Sequence, residues 1–210
     1  MSAKPYLIGI AGPSCSGKTA LAHAFAAQLM AGTARVVSLD AYYRDLSHLP
    51  KEARALRNFD APEALDHEAL IRDLDALARG ETVRVPRYDF ENHVRRPETE
   101  EIAPCPVLII EGLFALYWEE VRRRLDLKVF IHLADEQCLE RRKQRDLHER
   151  GRTEASVIAQ YESTVRPMYE QHAAPTRRYA DILLDGEAPL EQSLDRLETQ
   201  LRGCETIVFL

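Results

Sequence analysis

The chain has 210 residues, 45% of them hydrophobic and 30% charged, with a formal net charge of −6. A polypeptide of that size and balance is expected to form one large globular domain with a substantial core. The acidic balance argues against a general nucleic-acid-binding surface. No apolar run approaches the length of a membrane span, and residues 1–5 are too short and polar for a signal peptide. Four scattered cysteines, Cys15, Cys105, Cys138 and Cys204, form no C-x-x-C pair and fit free thiols in a reducing cytoplasm.

Residues 6–10 are a short apolar, β-branched run that predicts a buried strand, and Leu21, Phe25 and Leu29 recur as one face of a helix. Between them, residues 12–19 (GPSCSGKT) satisfy the G-x-x-x-x-G-K-[ST] pattern of a phosphate-binding loop. Strand, glycine loop and helix are what such a loop requires: backbone N–H groups turn inward on phosphate oxygens and the helix N-terminus adds partial positive charge. Gly12, Ser14, Ser16 and Gly17 shape the cradle, Lys18 is placed to reach the β- and γ-phosphates, and the Thr19 hydroxyl to bind Mg²⁺. Cys15 sits inside the loop as a small residue, open to an alkylating reagent.

Residues 35–39 predict a second strand ending at Asp40. An amphipathic helix runs from Asp66 through Leu70, Leu74 and Leu77 to Gly80. Residues 82–86 and 98–102 flank a polar, aromatic stretch and predict a projecting β-hairpin over 82–102. Residues 107–110 are a fully apolar central strand closed by Glu111, and 127–132 another strand. A strongly basic helix follows from Asp135 to about residue 150, then a helix carrying Val157, Tyr161 and Val165. Residues 181–184 read as a last parallel strand, and Leu190, Leu194, Leu197 and Leu201 mark the final helix. Alternating strands and helices predict an α/β fold of three layers, with a mostly parallel five-stranded sheet and a small hairpin; the basic stretch over about 141–153, after a phosphate loop in a chain of this size, resembles a helical lid. Ligands of such sheets sit at the carboxyl ends of the strands, where the loop, Asp40 and Glu111 all fall.

Phosphoryl transfer needs a triphosphate cradle, a metal, an orienter for the nucleophile and positive charge on the migrating group. Glu111 is placed to hold Mg²⁺; the alternative is an acid that caps the following turn. Asp40 is placed to take a proton from an acceptor hydroxyl or to help hold the metal shell, the alternative being a turn-forming residue. Arg141, Arg142, Lys143, Arg145, Arg150 and Arg152 read either as a solvated face or as a lid closing on phosphates. Asp60, before Ala61, Pro62 and Glu63, fits a helix N-cap with a capping-box glutamate. Tyr88, Phe90 and His93 form either hairpin packing or a sandwich for a planar base.

With these motifs in their order, the chain resembles the uridine–cytidine kinases, within the P-loop kinases. The resemblance rests on IGIAGPSCSGKT, LDAYYRDLSH, NFDAPEALDHEALIRDL, VPRYDFENHVR, VLIIEGLFAL, RRKQRDLHERGR, VIAQYESTVRPMY and PTRRYADI, from Tyr6 to about Leu184. It implies transfer of a phosphate from ATP or GTP, with Mg²⁺, to the 5′-hydroxyl of uridine or cytidine by a cytoplasmic homotetramer. It makes Asp40 the general base and sets Asp60 on the ribose hydroxyls in place of the cap. Tyr43, Tyr88, Phe90 and His93 would line the nucleoside pocket, with His93 at the pyrimidine edge. Arg142, Arg152 and Gln160 would contact the acceptor, and Arg145 and Arg150 the triphosphate. The segment Asp185-Gly186-Glu187-Ala188-Pro189 departs from the family's usual arginine- and glycine-containing continuation, and residues 205–210 (ETIVFL) read as an added edge strand or an interface. Phosphoribulokinase-like and pantothenate-kinase-like enzymes share the loop but have no use for aromatics around a pyrimidine. A GTPase switch is disfavoured because no N-K-x-D or D-x-x-G motif occurs.

Overall fold

The computed structural model describes residues 4–149 and 151–202. Arg150, Cys204 and the apolar run 205–210, all singled out above, lie outside the described residues. The first run forms β1 (Tyr6–Ala11), and the glycine loop delivers the chain into α1 (Lys18–Gln28). Strand β2 (Ala34–Ser38) leads through a single 3-10 turn, 39–42, into a long loop that holds a short helix, α2 (Lys51–Ala55). Helix α3 (His67–Ala78) starts where expected, with Asp66 Oδ1 accepting from Ala69 N–H at 3.1 Å. The hairpin comprises β3 (Val83–Asp89) and β4 (Val94–Ile102). After it come β5 (Val107–Glu111), α4 (Glu119–Arg122), β6 (Leu127–His132) and the basic helix α5 (Asp135–Glu149).

Helix α6 (Glu154–Gln160) continues as a π-helical turn (Tyr161–Val165), α7 (Arg166–Met168), a second π-helical turn (Tyr169–Ala173) and a 3-10 stretch (Ala174–Tyr179). Val157, Tyr161 and Val165 all remain buried along it. Strand β7 (Ile182–Asp185) and helix α8 (Leu190–Leu201) complete the chain's described part.

The main sheet has the order β2-β5-β1-β6-β7 and every pairing in it is parallel. Because side chains alternate across a strand, its residues divide between two cores. Leu7, Val37, Leu108, Ile110 and Phe130 face α3 and the foot of the hairpin, against Leu70, Leu74, Val83 and Val85. Ile8, Ile10, Val107, Ile109 and Val129 face α1 and α8, against Leu21, Phe25, Leu194 and Leu197. The sheet is therefore covered on both faces, the three layers expected. Burying a leucine or phenylalanine contributes about 1.5–3 kcal/mol each, so these two clusters make the sheet a rigid frame for its carboxyl edge.

Two expectations need correction. The hairpin strands are much longer than 82–86 and 98–102, and only residues 90–93 lie between them. A register shift between Pro86 and Tyr88 breaks the alternation, and most of β4 is exposed, so no period-two pattern marked those positions. Asp60 is not a helix cap. Pro62–Ala64 is one 3-10 turn preceded by Ala61, Leu65 is extended, and the helix proper begins five residues later behind Asp66.

Candidate active site

The site is built from the sheet edge upward. β1 ends in residues 12–17, whose backbone requires glycine at two places. A Cβ on Gly12 would stand 2.5 Å from the Ile131 carbonyl oxygen, and Gly17 holds a left-handed φ of 95° as it opens α1. Cys15 is also left-handed, at φ 62°, an uncommon geometry for a residue with a Cβ. Gly17 offers the first turn of α1 no capping side chain, which leaves its N–H groups directed to an anion. The Ser16 hydroxyl is buried without a hydrogen-bond partner. A polar atom so placed has its natural partner in a phosphate oxygen.

Lys18 is only 9% exposed and donates to the Pro13 carbonyl at 2.7 Å. Burial pushes its ammonium below the ordinary lysine value, opposed by the charges of Glu111 and Asp40. Those two acids come from adjacent strands: β2 pairs with β5, Ser38 opposite Glu111. Glu111 is 3% exposed at the end of β5. Asp40 lies in the turn after β2, and that turn is held by Ser38 Oγ, which accepts from the Asp40 N–H at 3.3 Å. The turn's cap is thus the serine and not the aspartate. Among the described residues no cluster of three or more His, Cys, Asp or Glu could hold a metal alone. Thr19 and Glu111 fit a divalent ion whose shell is completed by phosphate oxygens and water, which is how Mg²⁺ is usually held.

A cleft of about 1010 Å³ joins this edge to the hairpin. Of the predicted site residues that are described, all line it except Gly12 and Ser16, which are buried within the loop, and Lys143, which pairs with Glu140 and Glu154 instead. At its far end stands a group of aromatic rings. Tyr43 and Tyr88 lie 5.2 Å apart, Tyr88 and Phe90 meet edge to face at 5.3 Å, and His93 stacks on Phe59 at 4.3 Å. Arg95 ties the hairpin to this wall, donating to the carbonyls of Tyr43 at 2.9 Å and Tyr42 at 3.3 Å. Burial, with Asp40 and Asp60 nearby, holds the Tyr43 hydroxyl well above its usual range; that hydroxyl donates to the Phe59 carbonyl at 3.1 Å. The Tyr88 hydroxyl is buried without a hydrogen-bond partner, and burial pushes its pKa up to about 12. His93 has φ 55°, and burial lowers its pKa, with Arg54 and Lys51 adding to the effect and Asp89 opposing it.

The basic helix closes the third side. Arg142 donates to Ser14 Oγ and to Gln160 Oε1, each at 3.1 Å, and Arg152 also donates to Gln160. Arg142, Arg145 and Arg152 all approach the carboxylate of Asp146, which has no solvent exposure. Arg141 donates to the carbonyls of Cys15 at 3.4 Å and Gly186 at 3.0 Å, so α5 is fastened to the phosphate loop and to the end of β7. The solvated-face alternative is excluded for Arg142, which is 5% exposed. Asp60 belongs to this wall too, for Thr164 donates its hydroxyl to Asp60 Oδ2 at 3.2 Å.

Sequence reasoning missed Phe59, Thr164 and Asp146. The first stood beside Asp60 in plain view, an aromatic residue next to an acid in a polar run. Thr164 meets Asp60 across 104 positions, a distance no local pattern spans.

A parallel sheet, a phosphate loop and two strand-end carboxylates define this protein as a P-loop kinase. The phosphoribulokinase / uridine kinase family model matches residues 7–188, and the chain belongs to that family. It is 46% identical over 186 residues to the uridine kinase of Chloroflexus aurantiacus, covering 89% of each chain. It is 41% identical over 199 residues to the uridine kinase of Ligilactobacillus salivarius, covering 95% of this chain and 93% of that one. The solved phosphoribulokinase from Rhodobacter spheroides shares the fold, with TM-score 0.63 and 16% identity over 90% of this chain and 75% of that one. Among the described residues no helix is long and apolar enough to cross a membrane.

Proposed function

We propose that the protein is a pyrimidine ribonucleoside kinase that moves the γ-phosphate of ATP or GTP to the 5′-hydroxyl of uridine or cytidine, giving UMP or CMP in nucleoside salvage. The observation that carries this reading is the shared cleft. A phosphate loop stands at one end, a group of aromatic rings at the other, and the charge of Asp40 acts on both Lys18 and Tyr43. The uridine kinase relatives, at 46% and 41% identity over most of the chain, support uridine as an acceptor.

In this reading residues 12–19 cradle the triphosphate, and Thr19 and Glu111 hold Mg²⁺, which when bound neutralises phosphate charge. Asp60 accepts from the ribose hydroxyls. An analogue lacking one of them leaves a half-buried carboxylate short of a partner, which disfavours deoxyribonucleosides. Tyr43, Tyr88 and Phe90 hold the base. His93 meets its 4-position, where a neutral imidazole either donates to uridine's carbonyl or accepts from cytidine's amine, so both are substrates. Arg142, Arg152 and Gln160 line the acceptor side and Arg145 the phosphates, a role that family resemblance also gives to Arg150. Asp40 orients the 5′-hydroxyl and takes its proton. The oxygen attacks the γ-phosphorus, the bond to the β-bridging oxygen breaks, and the nucleoside diphosphate leaves. Positioning and charge neutralisation supply most of the acceleration. The chain acts as one kinase unit over residues 1–210 and as a cytoplasmic homo-oligomer, a tetramer by family resemblance.

An acceptor panel tests the assignment. With ATP and Mg²⁺, uridine and cytidine are expected to be phosphorylated at comparable concentrations, and ribulose 5-phosphate and pantothenate to be inert. Turnover of either of the latter alone would replace this reading, and use of cytidine alone would remove the role given to His93.

A further inference from the structure

We propose that Arg54, which lies outside the cleft, is a positioning residue for base recognition: it pins the hairpin tip that carries His93 and thereby sets how the imidazole meets the pyrimidine. The inference rests on the nucleoside kinase reading given above.

Arg54, on α2, spends its guanidinium on three backbone carbonyls. Nε donates to Leu49 at 2.8 Å, Nη2 to Ser47 at 3.2 Å and Nη1 to Asn92 at 3.0 Å. Two of these acceptors belong to the loop before α2, and the third is the residue immediately before His93. Lys51, one turn earlier, donates to Asn92 Oδ1 at 2.9 Å. On the other side of His93, the Arg95 N–H donates to Asp45 Oδ1 at 2.9 Å. His93 is therefore held between two fastened residues, and it needs to be. Its φ of 55° is a sparsely populated conformation that persists only where the surroundings impose it. A planar fork that reaches three carbonyls at once does this in a way a lysine cannot.

The same clamp sets the charge around the ring. Arg54 and Lys51 from α2 disfavour the imidazolium, Asp89 from the hairpin favours it, Phe59 stacks on it, and Arg57 lines the same cleft. A neutral imidazole serves both pyrimidines through its two tautomers, whereas an imidazolium only donates and so keeps uridine but loses cytidine. Removing the Arg54 charge moves protonation of His93 toward higher pH. Cytidine use then falls relative to uridine at a higher pH than in the unaltered enzyme.

The test compares Arg54→Ala, Arg54→Lys and the unaltered enzyme, measuring kcat and KM for uridine, cytidine and ATP across the range around pH 6.5. NMR titration of His93, assigned by the signal lost in His93→Gln, is measured alongside. Arg54→Ala is expected to raise nucleoside KM about tenfold, the scale of one or two net hydrogen bonds, with ATP KM within about twofold and the His93 titration moved to higher pH. Arg54→Lys should raise nucleoside KM while leaving that titration near its original position, since the charge is retained. An unchanged nucleoside KM with an unchanged titration overturns the proposal. So does an equal rise in both KM values together with a lower Tm, which marks general destabilisation. If the unaltered enzyme used neither nucleoside, the function reading alone would fall. The His93 titration and the amide exchange of Asn92 and His93 in Arg54→Ala would still decide whether Arg54 holds the tip.

Discussion

The two ends of the cleft are made in different ways. The donor end centres on one unbroken stretch, residues 12–19, presented by β1 and α1 and backed by the core of Phe25, Leu194 and Leu197, with Glu111 and the arginines of α5 added around it. Its working parts are mostly backbone N–H groups, so its chemistry is generic to any triphosphate. The acceptor end is gathered from the loop after β2, the turn before α3, the hairpin tip and the helix after α5. It is built of side chains, Tyr43, Phe59, Asp60, Tyr88, His93 and Gln160. It rests on the opposite core, through Tyr42, Leu65, Leu74 and Val85. A kinase of this design keeps the donor half and changes its substrate by altering residues that the sheet does not constrain.

Mutations can separate the halves. Asp40→Asn, where the two meet, is expected to lower kcat on the order of 10³-fold with ATP KM little changed. Near-normal turnover in a steady-state assay would remove Asp40 from the mechanism. Asp60→Ala belongs to the acceptor half alone. It should lower nucleoside kcat/KM on the order of 10²-fold and relax discrimination against 2′-deoxynucleosides, with Tm nearly unchanged. A large Tm loss with substrate kinetics intact would instead assign Asp60 a structural role. The smallest effect on turnover is expected from Leu74→Ala, in the core beneath the hairpin. It should cost about 3 kcal/mol in a denaturant titration and raise nucleoside KM more than ATP KM. Equal changes in the two would mean that the halves are not mechanically distinct.

The same contrast explains what could be read from the chain before its fold was known. The donor end was legible because its pattern, strand and helix are contiguous, and because Leu21, Phe25 and Leu29 repeat on one helical face. Asp40 and Glu111 were legible because each closes an apolar run. Asp60 was read from its residues as a cap because Pro62 and Glu63 mimic a helix start. The resemblance had already moved it to the ribose, and the extended backbone at Leu65 and the hydroxyl of Thr164, 104 residues away, now remove the cap. The hairpin's true length was hidden by the irregularity at Pro86 and Tyr88 and by the exposed face of β4. The π-helical turns at Tyr161 and Tyr169 were invisible for a related reason. Each widened turn shifts the helical phase, while Val157, Tyr161 and Val165 still fall four residues apart.

The decisive experiment for the shared cleft is a crystal structure with uridine and a non-hydrolysable ATP analogue. The pyrimidine is expected among Tyr43, Phe59 and Tyr88 with its edge at His93, the ribose hydroxyls on Asp60 and the 5′-hydroxyl facing Asp40. Uridine bound away from these residues, or in the cleft with its 5′-hydroxyl turned from Asp40, would contradict that placement.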